Sequence, residues 1–575
     1  MSESDVVIAS GAELIARTLK SQGVEVVFGI VGIPIVEVAE ACVAAGIRFI
    51  GFRNEQSAAY AASVYGYLSG YPGVCLTVGG PGVIHALAGV LNSKLNCWPL
   101  ILLSGSCESD QVDKGAFQEL DQVEATRPYC KYSARSTSIE QLPSTIEKAF
   151  RAALYGRPGP AYVDLPADYV QYPIRNKELY DSIQLPRIPN APKSMASQLD
   201  IDNAISLLKN AQHPLIVVGK GAAYARAENE VREFIDKVQV PFLPTPMGKG
   251  VVRDDHPLCV SAARSKVLKE ADVVLLIGAR LNWILHYGQS PRWNKDVKFI
   301  QIDIAPEELG NNCHDTLHLL GDIQLVVPQL TRALDGKLPN IESTYVSGLL
   351  DKVKQNVEKL KAAGANGSDD AVLTYQAAFT VIKNCLPEDD IVYVSEGANT
   401  MDIARSYFDV NHPRQRLDAG TGATMGVGMG YTIGAQVYYS AQENKKRVVS
   451  IVGDSAFGFS AMEIETAIRS CLPVVIIVIN NNGIYHGLED DDYQTSQKEG
   501  TLPTTALSPE VRYDLISEAC GGKGWLVKNR VELAKALEEA LASKDQTCLI
   551  NVLIAPGGRQ KLDFAWMQKS KKSRL

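Results

Sequence analysis

Positions 448–485 constrain the chain most tightly. Two short apolar, β-branched runs, 448–452 and 473–479, flank a segment with helical spacing at 461–468. Each run is bounded by glycine or asparagine, the pattern of strands buried on both faces of a parallel sheet. Parallel neighbours need a crossover of about a dozen residues, usually a helix, so this stretch has to fold as an α/β unit. Its two strands end in Gly453-Asp454-Ser455 and Asn481-Asn482-Gly483. These polar ends fall side by side at the carboxyl edge of the sheet, where open α/β folds bind ligands. The carboxylate of Asp454, the amide oxygen of Asn481 and the backbone carbonyl of Gly483 are hard oxygen donors of the kind Mg²⁺ takes together with phosphates. Small residues at Gly453 and Ser455 let backbone N–H groups approach a diphosphate at a helix start. Either motif alone would pass as a turn or a loop; the pair suggests a cradle for a metal diphosphate.

The same alternation recurs along the chain. An amphipathic segment at 12–22 precedes apolar runs at 26–31, 74–78 and 99–104, with an alanine-rich helix at 58–68 and a glycine turn, Gly79-Gly80-Pro81-Gly82, leading into a helix from His85. Residues 172–198 are rich in proline and polar side chains and read as a linker. A second unit begins near Ile201, and a second linker at 364–370 follows an amphipathic helix around 349–360. The expected fold is therefore α/β, with three doubly wound parallel-sheet domains at 1–172, 199–336 and 371–555 and a tail over 556–575. At 575 residues and 46% hydrophobic content the chain has the apolar side chains for several cores.

Charge and cysteine usage narrow the classes. A formal net charge of −8 gives no overall basic surface and argues against nucleic acid as a partner. No apolar stretch reaches the roughly 18 residues of a membrane span, and the polar start, MSESDVVIAS, lacks the pattern of a signal peptide. Eleven cysteines without a C-x-x-C pair read as reduced thiols of an intracellular protein.

In the second unit, strands at 214–218, 271–277 and 298–302 end at Gly219-Lys220-Gly221, Gly278-Ala279-Arg280 and Asp303. Two cations for phosphate and one carboxylate for ribose hydroxyls make a nucleotide crevice, although the sequence GKGAAY lacks the third glycine of a dinucleotide fingerprint. Cys313, His314 and His318 show no fourth metal ligand and read as structural. The C-terminal Ser573-Arg574-Leu575 resembles the SKL-type tripeptide read by the peroxisomal import receptor, and a basic segment precedes it, so a peroxisomal matrix location is expected.

Taken together, GDS and NNNGIY at their spacing resemble the thiamine diphosphate signature shared by pyruvate oxidases, acetolactate synthases and oxalyl-CoA decarboxylases. With the SEGANTMD and GDSAFGFSAME stretches, the chain resembles peroxisomal 2-hydroxyacyl-CoA lyases over nearly its whole length. The resemblance implies thiamine diphosphate and Mg²⁺ as cofactors, with Asp454, Asn481 and Gly483 on the metal, and Asn399, Ser455 and Ile484 beside the cofactor. It makes Met425 the apolar wedge under the bent thiamine and the Ala423 carbonyl the acceptor for its pyrimidine amine. Glu55 resembles the glutamate that hydrogen-bonds the aminopyrimidine ring and drives it to the imino form, which takes the proton from the thiazolium carbon. His85 is a candidate base, Gln118 of the Phe117-Gln118-Glu119 stretch lies by the thiazolium ring, and Tyr485 resembles a hydrogen-bond donor to the substrate carbonyl. Arg157, Lys220, Arg280 and Asp303 match an ADP site in oxalyl-CoA decarboxylases, with Arg264 a further candidate for a CoA phosphate. The basic tail around Arg559 and Lys561 would close over CoA. The implied reaction is cleavage of the bond between carbons 1 and 2 of a 2-hydroxyacyl-CoA, giving formyl-CoA and an aldehyde; the alternative is decarboxylation of oxalyl-CoA. Phe117-Gln118 replaces the Tyr-Glu of typical decarboxylases and favours the lyase. The resemblance also implies a homodimer or homotetramer with its sites between subunits.

Overall fold

The computed structural model describes residues 7–185, 187–313 and 315–557. Three parallel sheets organise the chain. The first runs in the spatial order Arg48–Gly51, Val26–Gly29, Gly73–Thr77, Leu100–Ser106, Pro160–Pro166, Tyr132–Arg135. The third runs Arg416–Asp418, Ile391–Glu396, Arg447–Gly453, Val475–Asn480, Cys548–Leu553, Lys523–Val527. Numbered within its own sheet, each follows the order 2-1-3-4-6-5, so the two are topological copies. The central sheet has five strands, Phe242–Pro244, Pro214–Val218, Val273–Ile277, Lys298–Asp303 and Thr316–Leu320, also parallel. Helices cover both faces of each sheet, which is why the inner strands read as unbroken Val, Ile and Leu runs rather than as an alternation.

In each of the three sheets the chain order reverses between the first strand and its third-strand neighbour, and that gap is the expected ligand crevice. In the third sheet it opens between Glu396-Gly397 and Gly453-Asp454; a Cβ on Gly397 would lie 3.3 Å from the Gly453 nitrogen. In the central sheet the strand ends come closer still, with Gly219 and Gly221 donating to the Ile277 and Gly278 carbonyls at 2.9 and 3.1 Å.

The two copies dock through equivalent helices. Glu55–Ser69 and Val427–Ser440 each follow the second strand of their sheet, and they pack against one another in a shared core. The approach is close because the second helix presents glycine one turn apart: a Cβ on Gly430 would sit 2.7 Å from the Ser57 carbonyl, and one on Gly434 2.4 Å from that of Ala61. The first helix meets these glycines with Ser57, Tyr60, Ala61 and Val64, and it is buried along most of its length.

One local expectation changes. Asp454 is the first residue of a short helix, Asp454–Gly458, rather than a residue of the turn before one. His318 lies in the edge strand Thr316–Leu320, and His314 falls outside the described residues. The tail from residue 558, including Arg559, Lys561 and Ser573-Arg574-Leu575, also lies outside them.

Candidate active site

At the crevice of the third sheet, the strands Arg447–Gly453 and Val475–Asn480 deliver Asp454 and Asn481 as adjacent strand ends. Asp454 is 2% exposed. One oxygen accepts from Ser455 N at 2.8 Å and the other from Gly483 N at 3.1 Å. Burial pushes its carboxyl up to about 6, while the N–H groups of Ser455, Gly483, Asn481 and Asn482 pull the other way. A buried carboxylate whose stabilising partners are all backbone N–H groups is short of positive charge, and a divalent cation would supply it. Among the described residues there is no cluster of three or more His, Cys, Asp or Glu that could hold a metal. The donors gathered here are a carboxylate, an amide and carbonyls, the set that suits a hard cation completing its shell with phosphate oxygens.

The loop after Asn481 is held tightly. Tyr485 adopts φ 76°, and its carbonyl accepts from the side-chain amides of Asn481 at 3.1 Å and Asn399 at 2.8 Å. Gly487 closes the turn; a Cβ there would lie 2.3 Å from the carbonyl oxygens of Asn481 and Asn482. Asn399, at the start of helix Ala398–Tyr407, thus joins Asp454, Ser455, Asn481 and Gly483 in one crevice. Ile484 stands 48% exposed at its rim. Met425 is half-buried, and Ala423, two residues before it, holds φ 48°.

A residue to which the sequence assigned no role orders the segment that follows Ala423 and Met425. Glu396, fully buried at the end of its strand, accepts from the N–H groups of Gly426 and, at 2.6 Å, Gly428. Burial pushes its carboxyl up to about 7 against the pull of these N–H groups. The signal was a lone glutamate closing an otherwise apolar strand, IVYVSE.

The corresponding end of the first sheet gathers the other set. Asn54 caps helix Glu55–Ser69 by accepting from Gln56 N at 2.8 Å, which places Glu55 in the first turn. Its carboxylate lies 3.0 Å from Nδ1 of His85, in the neighbouring helix Pro81–Asn96. The Glu55 side chain is 12% exposed and that of His85 58%. Gly80, at φ 52°, passes so close to the Gln118 backbone that a Cβ would lie 2.6 Å from its carbonyl oxygen. Gln118 itself holds φ 54°, and its Oε1 is buried without a hydrogen-bond partner, an acceptor aligned with no protein donor. Gln122 is a second residue whose role the sequence did not reveal: its amide accepts from Gly80 N at 2.6 Å and donates to Gly105 O, Tyr162 Oη and Asp164 Oδ1. It fixes the glycine turn beside Gln118.

A cavity of about 490 Å³ opens at the crevice of the central sheet, lined by Arg157, Lys220, Arg280 and Asp303 together with Asn96, Cys97 and Trp98 of the first unit. Arg157 pairs with Asp303 at 3.4 Å and with Glu308 at 3.0 Å. Lys220 donates to Asn96 Oδ1 at 2.7 Å, and burial beside Arg280 pushes its ammonium down to about 7. Four of the five predicted nucleotide or CoA residues therefore meet in one cavity. Arg264 does not: it donates to Ile284 O at 2.5 Å and His286 Nε2 at 3.1 Å, and burial, with Arg405 and Arg292 nearby, lowers its pKa.

A family model matches part of each of the three units: the N-terminal TPP binding domain of thiamine pyrophosphate enzymes over residues 9–125, their central domain over 201–330, and their C-terminal TPP binding domain over 396–552. The chain is thus a thiamine pyrophosphate enzyme. It is 48% identical to human 2-hydroxyacyl-CoA lyase 1 over 98% of this chain and 97% of that protein. It is 43% identical to the 2-hydroxyacyl-CoA lyase of Arabidopsis thaliana, over 95% and 96%. It is 41% identical to the oxalyl-CoA decarboxylase of Escherichia coli K12, over 96% and 95%. The chain belongs to the family of 2-hydroxyacyl-CoA lyases and oxalyl-CoA decarboxylases.

Proposed function

We propose that this protein cleaves 2-hydroxyacyl-CoA, long-chain or branched at carbon 3, into formyl-CoA and an aldehyde one carbon shorter. The observation that carries the choice is the Glu55–His85 pair. Breaking the bond between carbons 1 and 2 requires a base for the 2-hydroxyl proton, whereas loss of CO₂ from oxalyl-CoA requires none. With Nδ1 held by Glu55, the exposed His85 ring has Nε2 for that proton.

Thiamine diphosphate, held through Mg²⁺ on Asp454, Asn481 and Gly483, supplies the carbon nucleophile and the sink for the electrons of the broken bond. With the cofactor bound, Glu55 would hydrogen-bond its aminopyrimidine and Met425 would pack beneath it. Asn399, Ser455, Ile484 and the Ala423 carbonyl line its berth, and Gln118 Oε1 offers an acceptor at the reacting end. Tyr485 donates to the substrate carbonyl as it gains charge. CoA phosphates dock on Arg264 with Arg292 and Arg405. His286 accepts from Arg264 through Nε2, which leaves its buried Nδ1 as an N–H with no protein acceptor. An ADP-like nucleotide fills the cavity at Arg157, Lys220, Arg280 and Asp303.

A second copy of the chain completes the site. Ile33, Ile84 and Phe117 beside the glutamate end, and Phe459, Met462 and Ile484 beside the diphosphate end, are large apolar side chains left 48% or more exposed. The setting is the peroxisomal matrix, in α-oxidation of fatty acids, supported by Ser573-Arg574-Leu575. Deleting this tripeptide should leave a fluorescent fusion in the cytosol; continued peroxisomal import would remove that address.

Purified protein with thiamine diphosphate and Mg²⁺, offered 2-hydroxyoctadecanoyl-CoA, should release formyl-CoA and heptadecanal. No formyl-CoA from this substrate would overturn the lyase. The second reading, oxalyl-CoA decarboxylase, rests on the 41% identity to that enzyme. His85→Gln distinguishes the two: lyase turnover should fall roughly 100-fold or more, the usual worth of a general base, with much less effect on any release of CO₂ from oxalyl-CoA.

A further inference from the structure

We propose that Thr421 is the positioning residue that ties the nucleotide cavity to the thiamine loop, so that occupancy of one site changes affinity at the other. The inference rests on the reading that Ala423 and Met425 contact the cofactor and that the central cavity takes a nucleotide.

Thr421 is where the three sheet units meet. Its side-chain oxygen accepts from Arg280 at 3.0 Å and from Lys220 at 3.3 Å, both from the central unit. Its carbonyl accepts from the Trp283 indole at 2.8 Å, and its N–H donates to Asn96 Oδ1 of the first unit at 3.2 Å. Lys220 donates to the same Asn96 oxygen, and Arg280 reaches the Leu95 carbonyl at 2.7 Å. Four side chains from two other units thus fix one threonine of the third.

The chain around it is stiff. Gly420 before it holds φ 65°, with the Asn96 amide so close that a Cβ would lie 2.1 Å from its oxygen. Two residues later Ala423 is again left-handed, at φ 48°. Gly426 N and Gly428 N are then clamped on Glu396. The segment from 420 to 428 is therefore pinned at both ends, by Thr421 on the cavity side and by Glu396 on the sheet side, with Ala423 and Met425 between. Only Gly422 separates Thr421 from Ala423, and it is closely confined, since a Cβ there would lie 2.9 Å from both the Leu95 and the Thr424 side chains, so a displacement at Thr421 is passed on to them.

Lys220 and Arg280 line the cavity and also hold Thr421. A phosphate bound there competes for the same N–H donors, and these are charge-assisted bonds, the stronger kind. Ligand binding in the cavity must then alter how firmly Thr421 is held. Because coupling between two binding sites is reciprocal, thiamine diphosphate must alter nucleotide affinity by the same factor.

Thr421→Val removes the hydroxyl acceptor at nearly constant volume, and Thr421→Ser restores it. Calorimetric titration of the full-length protein, stripped of cofactor and supplied with Mg²⁺, reads thiamine diphosphate affinity directly. The valine variant should bind thiamine diphosphate roughly tenfold more weakly, as expected for losing hydrogen bonds to charged groups, and the serine variant within about twofold of wild type. ADP titrated into the same proteins should bind the valine variant, which shows that the cavity is intact. Saturating ADP should shift the wild-type Kd for thiamine diphosphate by about threefold or more, and this shift should vanish in Thr421→Val. Unchanged cofactor affinity in the valine variant, an ADP effect that persists there, or no ADP effect in wild type would each overturn the proposal. Wild-type protein that binds no thiamine diphosphate would remove the cofactor reading as well, and protein that binds no ADP the nucleotide reading; either distinguishes failure of the premise from failure of the link.

Discussion

Glu55 and Lys220 show how much a single side chain takes from its setting. A glutamate in the first turn of a helix is usually a solvated residue favoured by the dipole, but here it is mostly covered and holds a histidine at 3.0 Å. Glu55→Gln keeps the shape and loses the acid; turnover should become undetectable while the circular-dichroism spectrum and Tm stay at wild-type values, and an active variant would remove the activation role. Lys220 carries a pH dependence. Its ammonium, pushed down to about 7 in the ligand-free cavity, is neutral over part of the range in which an unburied lysine is still charged. A phosphate ligand prefers the charged form and raises its pKa, so ADP affinity should be full below about 7 and fall as pH rises through and beyond it. Titrations at pH 6, 7 and 8.5 check this, and Lys220→Met should bind weakly with a much flatter profile.

Among the elements, the contact between Glu55–Ser69 and Val427–Ser440 sets the geometry that the site depends on. Both helices begin at site-bearing turns, and their separation is set by glycine on the second one. Gly434→Val places carbon within 2.4 Å of the Ala61 carbonyl and cannot be absorbed by a flexible side chain. The cost should be about 3 kcal/mol or more, at the upper end for overpacking a rigid contact, visible as a Tm several degrees lower and weaker thiamine diphosphate binding. A variant as stable as wild type would mean that the helices can separate without loss. The Glu396 clamp belongs to the same scale. Its folded pKa is raised, so its contribution to stability is present at low pH and declines as pH rises from the ordinary carboxylate range to about 7.

At the scale of the whole molecule, two topological copies and a five-stranded sheet between them bring three crevices into one chain. The apolar side chains exposed around the first and third crevices call for a covering surface. Sedimentation should give a dimer or tetramer as the active species, and Phe117→Asp or Phe459→Asp should shift it toward monomer with loss of turnover. An active monomer would rule out a shared site. Much of this architecture was legible in the sequence, because buried parallel strands announce themselves as β-branched runs and their polar ends as GDS, NNNG and GKG. Asp454 and Asn481 could be paired because a strand-helix-strand unit leaves few other arrangements. Lys220, Arg280 and Asp303 could be grouped for the same reason. Arg264 could not be placed, since nothing in its own segment indicates which side of the sheet it faces.

The sequence by itself determined the sheets, their parallel sense and the chemistry at each strand end, because period, length and crossover geometry are local properties of the chain. Only the tertiary structure decided what meets what. The Glu55–His85 pair, the Glu396 clamp, the Gln122 hub and the junction at Thr421 each join segments separated by tens or hundreds of positions. Such contacts follow from how helices pack at close approach, where a glycine or a buried carboxylate gains its role from a neighbour that the local sequence does not name.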